Sequence, residues 1–262
     1  MFKKFIIILI TTLTLTFNVY AGSDGDLVLK KNEPAEIEDC FERLNRVTFG
    51  FNKALDGIIF QPIASIYREL PGPVKNGVSN SLNNLSNLVT IPNNILQGEF
   101  AKAGANTGRF LLNTTVGILG VIDVASSFGF PEYEKEDYGQ TLARHGVGPG
   151  CYLVLPVIGS STARDTLGSL VNFIGGDAWY NVTVNNDTRY FSEIDYYTSR
   201  ITAGIDFRAK NYDSIENLEK NSLDFYASVK SLYLQDRQQK ILNTKTIINT
   251  QDDSDWEEID TQ

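Results

Sequence analysis

The chain has 262 residues, 42% apolar and 21% charged, which is ample for one sizeable core and unlike a disordered polymer. A formal net charge of -9, with no basic patch, gives a nucleic-acid partner no electrostatic support. A single histidine (His145) and two cysteines leave neither a His pair nor a CxxC, so no metal site or other cofactor is expected.

The N-terminus opens with Lys3 and Lys4, followed by a greasy run from Phe5 to Phe17. Val19 and Ala21 then stand where a signal peptidase reads small residues, so residues 1–21 read as a cleavable signal and the mature chain is expected to begin at Gly22. No cysteine follows the run, so the sequence reads as not a lipoprotein. Residues 22–38 are polar and read as a tether, with packing expected from Cys40.

From there the apolar residues Phe41, Leu44, Val47, Phe51, Leu55 and Ile58 recur at three and four, one helical stripe that either faces an apolar phase or packs on other helices. Pro62 ends that helix or starts the next, and Pro71 and Pro73 break the pattern again. Val74, Val78, Leu82, Leu85 and Val89 form a further stripe, a break is expected at Pro92, and a helix follows from about Glu99 to Thr114.

The stretch from Phe130 to Tyr138 is acidic and loop-like. The nineteen positions from His145 to Ala163 carry no Asp, Glu, Lys or Arg and are rich in glycine and proline. Ser161 or Thr162 is placed to cap a helix with Asp165 in its first turn, where the helix dipole favours negative charge. Helical segments run from about Ile194 to Asn243, with Leu218, Phe225, Val229 and Leu232 on a buried face. The end, residues 244–262, carries six acids and no base after Gln251 and reads as a flexible tail. Strand-like alternation is scarce, so the expected fold class is all-α.

The inventory speaks against catalysis. Only His145 could serve as the base of a triad, and Ser160 and Ser161 stand in Gly-Ser-Ser-Thr, not in a nucleophile elbow. The uncharged segment cannot be a regular lipid-exposed helix, and irregular backbone at membrane depth is tolerated only inside protein or along a cavity. With amphipathic helices that can lie in the plane of a leaflet, this composition suits a monotopic protein with an internal passage. An ordinary soluble helical domain with a buried glycine loop has the same composition.

An ordered series of motifs separates these readings. It runs Glu42-Arg43-Leu44-Asn45-Arg46, Phe49-Gly50-Phe51-Asn52, Gln61-Pro62-Ile63-Ala64, Gly108-Arg109-Phe110-Leu111-Leu112-Asn113-Thr114, Asp137-Tyr138-Gly139-Gln140-Thr141-Leu142, Gly146-Val147-Gly148-Pro149-Gly150, Leu155-Pro156 and Arg164-Asp165. Over residues 39 to 230 the chain resembles the MlaA/VacJ family of outer-membrane phospholipid transport proteins.

The resemblance implies a ring-like helical monotopic membrane protein in residues 39–243. It would sit in the inner leaflet of the outer membrane, on the periplasmic face of a Gram-negative envelope, with irregular Gly/Pro-rich segments lining a central amphipathic channel. It implies removal of mislocalised phospholipid from the outer leaflet, delivery to a periplasmic lipid carrier, and association with a trimeric porin. The alternative is an envelope structural or virulence-associated surface protein without a transport role.

On this reading the stripe from Phe41 to Ile58 is the candidate membrane-interface helix, and attachment rests on the helices alone. Gly146, Gly148, Gly150, Leu153, Val154, Leu155, Val157 and Ile158 are the candidate lining of the lipid path, with a buried core loop as the alternative. Cys40 and Cys151 stand where the family usually has proline. A disulfide between them would be particular to this sequence, and two small buried apolar residues is the preferred reading.

Overall fold

The computed structural model describes residues 37–172, 177–181, 184 and 192–243. The signal, the tether as far as Glu36 and the acidic tail lie outside the described residues. Packing begins at Ile37, slightly ahead of the expected start: Ile37 lies against the core, and the Glu38 carbonyl accepts from the Tyr152 N–H at 2.9 Å.

Helix α1, Glu42–Leu55, has Glu42 in its first turn and Lys53 in its last, both signs suited to the helix dipole. It runs through a π-turn, Asp56–Phe60, into α2, Gln61–Arg68. Pro62 lies at the start of α2 and lacks the N–H that would bond the carbonyl four residues back, so the ladder loosens where the π-turn sits.

Pro71 precedes α3, Gly72–Leu96, and α4 follows at Phe100–Thr115. The expected break at Pro92 does not occur: α3 continues past it, and tertiary bonds hold the helix on either side. Thr90 shares a hydrogen bond with Tyr133 at 2.9 Å, Thr141 donates to Asn93 at 2.6 Å, and Asn106 of α4 donates to Asn94 at 2.8 Å.

Between α4 and the short α5, Val124–Ser127, the chain makes a tight loop with Ile118, Leu119 and Gly120 all at positive φ. Gly120 is required there, since a Cβ would meet the Asn84 side chain at 2.5 Å. An extended stretch leads to α6, Tyr138–Arg144.

The uncharged segment then departs from the all-helical expectation. It folds into a hairpin of β1, Tyr152–Leu155, and β2, Gly159–Thr162, in register Tyr152↔Thr162 to Leu155↔Gly159. Pro149 and Pro156 fall just outside β1 and so remove no ladder bond. Thr162 caps α7, Ala163–Val171, accepting from the Asp165 N–H at 3.2 Å. The short α8, Ala178–Tyr180, precedes α9, Glu193–Lys210, α10, Tyr212–Asn221, and α11, Phe225–Leu242. On α11 the buried residue is Tyr226; Leu232, expected inside, is exposed.

Two asparagines seven residues apart on α1 hold the edge of the hairpin as a neighbouring strand would. Asn45 donates to the Tyr152 carbonyl at 3.0 Å and accepts from the Val154 N–H at 2.9 Å. Asn52 donates to the Leu155 carbonyl at 2.9 Å and accepts from the Val157 N–H at 2.7 Å. Asn45→Ala strands buried backbone groups, so it is expected to cost about 2–3 kcal/mol of unfolding free energy in urea titration.

Cys40 and Cys151 are joined in a disulfide with a Cα–Cα distance of 5.6 Å. The preferred reading of two buried thiols is thereby corrected: Cys40 is exposed, and the Asn45 contacts bring the start of α1 against β1.

Candidate functional site

The distribution of polarity is inverted. Among the described residues no leucine, isoleucine or phenylalanine is fully buried, and buried polar or charged side chains outnumber buried hydrophobic ones about two to one. The outside carries the grease. On α1 and the π-turn, Val47 is 71% exposed and Ile58 77%, with Phe41, Leu44 and Phe51 also out and Leu55 half-buried. The face continues along α2 through Ile63 and Ile66, the latter 72% exposed.

The loop after α4 adds Val116, Ile118, Leu119, Val121 and Ile122, all exposed. Two of these hold left-handed backbone, which side chains with a branched Cβ such as Ile118 adopt only under constraint. So many large apolar side chains exposed on the same elements mark contact with a membrane or a partner. None of the helices is long and apolar enough to cross a membrane, among the described residues.

Inside, side chains of α3 and α4 line a first cavity of about 270 Å³, walled by Asn80, Asn83, Asn84, Asn87, Arg109, Asn113 and Asp123, with Ser126, Glu132 and Tyr133. Asn84 and Asn87 each keep a buried carbonyl oxygen without a protein donor. Burial disfavours the Asp123 charge, but the hydrogen bonds of Ser126 and Asn113 and the charge of Arg109 more than offset it, holding the carboxyl below the usual range. Arg109 reaches Asp123 at 2.7 Å.

A second cavity, also about 270 Å³, lies between α3, the stretch before α6, β2, α7 and α11. Its floor is a charge network centred on Arg237. Arg237 donates to both oxygens of Asp137 at 2.7 Å and to both oxygens of Asp165 at 2.9 Å. Tyr233 donates to Asp165 at 2.7 Å, and Arg164 lies 3.1 Å away. Burial opposes the charge on both aspartates, and the Arg237 hydrogen bonds and charge outweigh it, so both sit below the ordinary carboxylate pKa. Two glycines permit this closeness: a Cβ on Gly139 would meet Arg237 and Asp165 at 2.5 Å, and one on Gly168 would meet the Gly139 backbone at 2.4 Å.

The expected lining residues part company here. Val154, 6% exposed, packs with Tyr152 and Tyr226 in the core and is not wall. Its side chain alternates inward along β1, and a strand pleat sends Leu153 and Leu155, both half-buried, the other way. Ile158 lines the second cavity; Val157 is exposed at the hairpin turn. Gly146 and Gly150 hold positive φ in the approach to β1, and Gly148 lies exposed between them.

The hydrolase parts are dispersed: His145 Nε2 meets the Leu96 carbonyl at 2.9 Å, Ser160 bonds Tyr152 and Ser161 bonds Thr166. Ala21 and Gly22 lie outside the described residues. Sequence reasoning missed Arg237 and Lys135. Arg237 joins partners 72 and 100 residues away and leaves no local signal.

Fold and surface together define a helical protein built for an apolar surround, greasy outside and hydrogen-bonding within. The model of the MlaA lipoprotein family matches residues 37–240. An uncharacterized protein of Rickettsia prowazekii is 35% identical over 202 residues, 77% of each chain. The intermembrane phospholipid transport system lipoprotein MlaA of Escherichia coli is 34% identical over 202 residues, 75% of this chain and 76% of its own. A chain solved in work on the structural basis for maintenance of bacterial outer membrane lipid asymmetry superposes with a TM-score of 0.65 at 32% identity, over 78% of this chain and 99% of that one.

The chain belongs to the MlaA lipoprotein family. That membership overturns the expectation that it is not a lipoprotein, and with it attachment through helices alone. The expectation weighed one short motif near the signal, whereas the family description rests on matches along most of the chain.

Proposed function

We propose that this protein takes mislocalised phospholipid from the outer leaflet of the outer membrane and passes it inward to a periplasmic carrier, with a trimeric porin as its neighbour in the membrane. The inverted polarity carries the reading: the belt of Val47, Ile58 and Ile66 suits acyl chains, while the asparagine-lined interior suits headgroups. The helices would surround an amphipathic passage in the manner of a ring, with Ile158 on its wall. Its work is non-covalent. The dispersal of His145, Ser160 and Ser161 supports that, as does the naming of its relatives for transport.

The belt is testable. Each aspartate placed in hydrocarbon costs about 2.5–3.5 kcal/mol, whereas on a water-facing surface it costs almost nothing. A triple variant Val47→Asp, Ile58→Asp, Ile66→Asp is expected to keep its level in the envelope, because these side chains are outside the fold. Phospholipid exposed at the cell surface should rise to that of cells lacking the protein. Unchanged lipid asymmetry in the variant, or in cells lacking the protein altogether, would favour a structural envelope role instead.

A further inference from the structure

Three cations line the second cavity, and only one of them is unengaged. Arg237 is held by Asp137 and Asp165. Arg200 pairs with Asp177 at 2.5 Å and lies over the Trp179 ring at 5.1 Å from its centre. Lys135 contributes only its backbone carbonyl, which accepts from Gln140 at 3.1 Å; its ammonium has no hydrogen bond or ion pair among the described residues.

Its setting is unusual in a second way. Lys135 is exposed by surface area, yet desolvation by the surrounding protein, and then repulsion from Arg200, push its ammonium below the ordinary lysine pKa. A side chain that is wet and at the same time encircled by protein stands in a concave space.

No acid of the wall makes an ion pair with it, and only the charge of Asp137 reaches it. Asp137 and Asp165 belong to Arg237. Glu136 accepts from Gln97 at 3.0 Å, and burial pushes its carboxyl up. A cation so placed is stabilised by an anion brought from outside. The rest of the wall tells what that anion is attached to: Val89, Ile158 and Trp179 give apolar surface close by, which a free inorganic ion would leave unused.

We propose that Lys135 is the seat for the phosphate of a phospholipid headgroup in this cavity, with Val89, Ile158 and Trp179 against the glycerol and first acyl carbons. The assignment rests on the transport function proposed above and adds to it the contact that reads the lipid's charge.

The test uses the full chain in detergent with Trp256→Phe, which leaves Trp179, on the cavity wall, as the only tryptophan. Its fluorescence is followed on titration with dihexanoyl phosphatidic acid, with uncharged dihexanoylglycerol, and with inorganic phosphate. One charge-assisted hydrogen bond corresponds to a preference of about tenfold or more for the phosphatidic acid.

Lys135→Gln is expected to abolish that preference while leaving dihexanoylglycerol binding and the circular dichroism spectrum unchanged, and Lys135→Arg to retain it. The same preference in Lys135→Gln as in the parent would overturn the seat while leaving transport standing. Inorganic phosphate displacing the lipid at comparable concentration would overturn the lipid assignment. Binding of neither lipid by the parent would overturn the transport reading and the seat with it.

Discussion

Arg237→Ala is expected to lower the unfolding free energy by about 3 kcal/mol, because it leaves the buried Asp165 and the half-buried Asp137 without their cation. Arg237 makes two-pronged contacts to Asp137 and to Asp165 at once, and so joins the start of α6, the first turn of α7 and the last helix. Arg237→Lys should rescue little, since an ammonium cannot reproduce two forks in one plane.

The pH dependence separates this effect from simple loss of packing. Both aspartates have folded pKa values below the ordinary 3.8, so their stabilisation is present above 3.8 and is lost as pH falls through the lower folded value. The parent should therefore weaken below about pH 4. In Arg237→Ala the Gln140 N–H still serves Asp137, and Tyr233 and Arg164 still serve Asp165, but the largest favourable contribution to each is gone, so acid should destabilise less by this route. Urea midpoints measured from pH 7 down to pH 3 would decide it, and parallel curves for parent and variant would refute the network.

Replacing Cys40 and Cys151 together by alanine is expected to cost about 4–5 kcal/mol, with a fall in Tm of about 10 °C or more. The disulfide closes a loop with a sequence separation of 111, and long loops gain most from closure in the unfolded chain. It also lies beside the bonds by which Asn45 holds β1, so its loss acts on the same junction. Scanning calorimetry of the parent with and without reductant should reproduce the difference, and reductant should not move the double variant. A parent indifferent to reductant would show that the junction stands on hydrogen bonds alone.

How far the site was readable in the sequence varied with the range of the interactions. Thr162 and Asp165 announced the start of α7 because a cap is a contact between residues three apart. The helix expected from about Glu99 to Thr114, found at Phe100–Thr115, and the loop before α6 are legible for the same local reason. Pro92 misled, since the bonds of Thr90, Asn93 and Asn94 to Tyr133, Thr141 and Asn106 come from elements far along the chain. The hairpin misled too: four residues of alternation between prolines carry too little signal, and its edge is satisfied by Asn45 and Asn52, more than a hundred positions away.

The apolar stripe on α1 shows where the division falls. Spacing by three and four determined that Phe41, Leu44, Val47, Phe51 and Ile58 share a face, because that follows from the helix period alone. Whether the face meets a core or an apolar solvent is the same pattern in both cases. Only the tertiary structure decided it, by setting Asn45 and Asn52 of the adjoining face against the hairpin and leaving the apolar residues outside. Lys135 is the same case in miniature. Its charge was plain in the sequence, but the absence of a partner among the described residues is a property of everything around it, assembled from α3, β2, α7 and α11, and no local pattern encodes that.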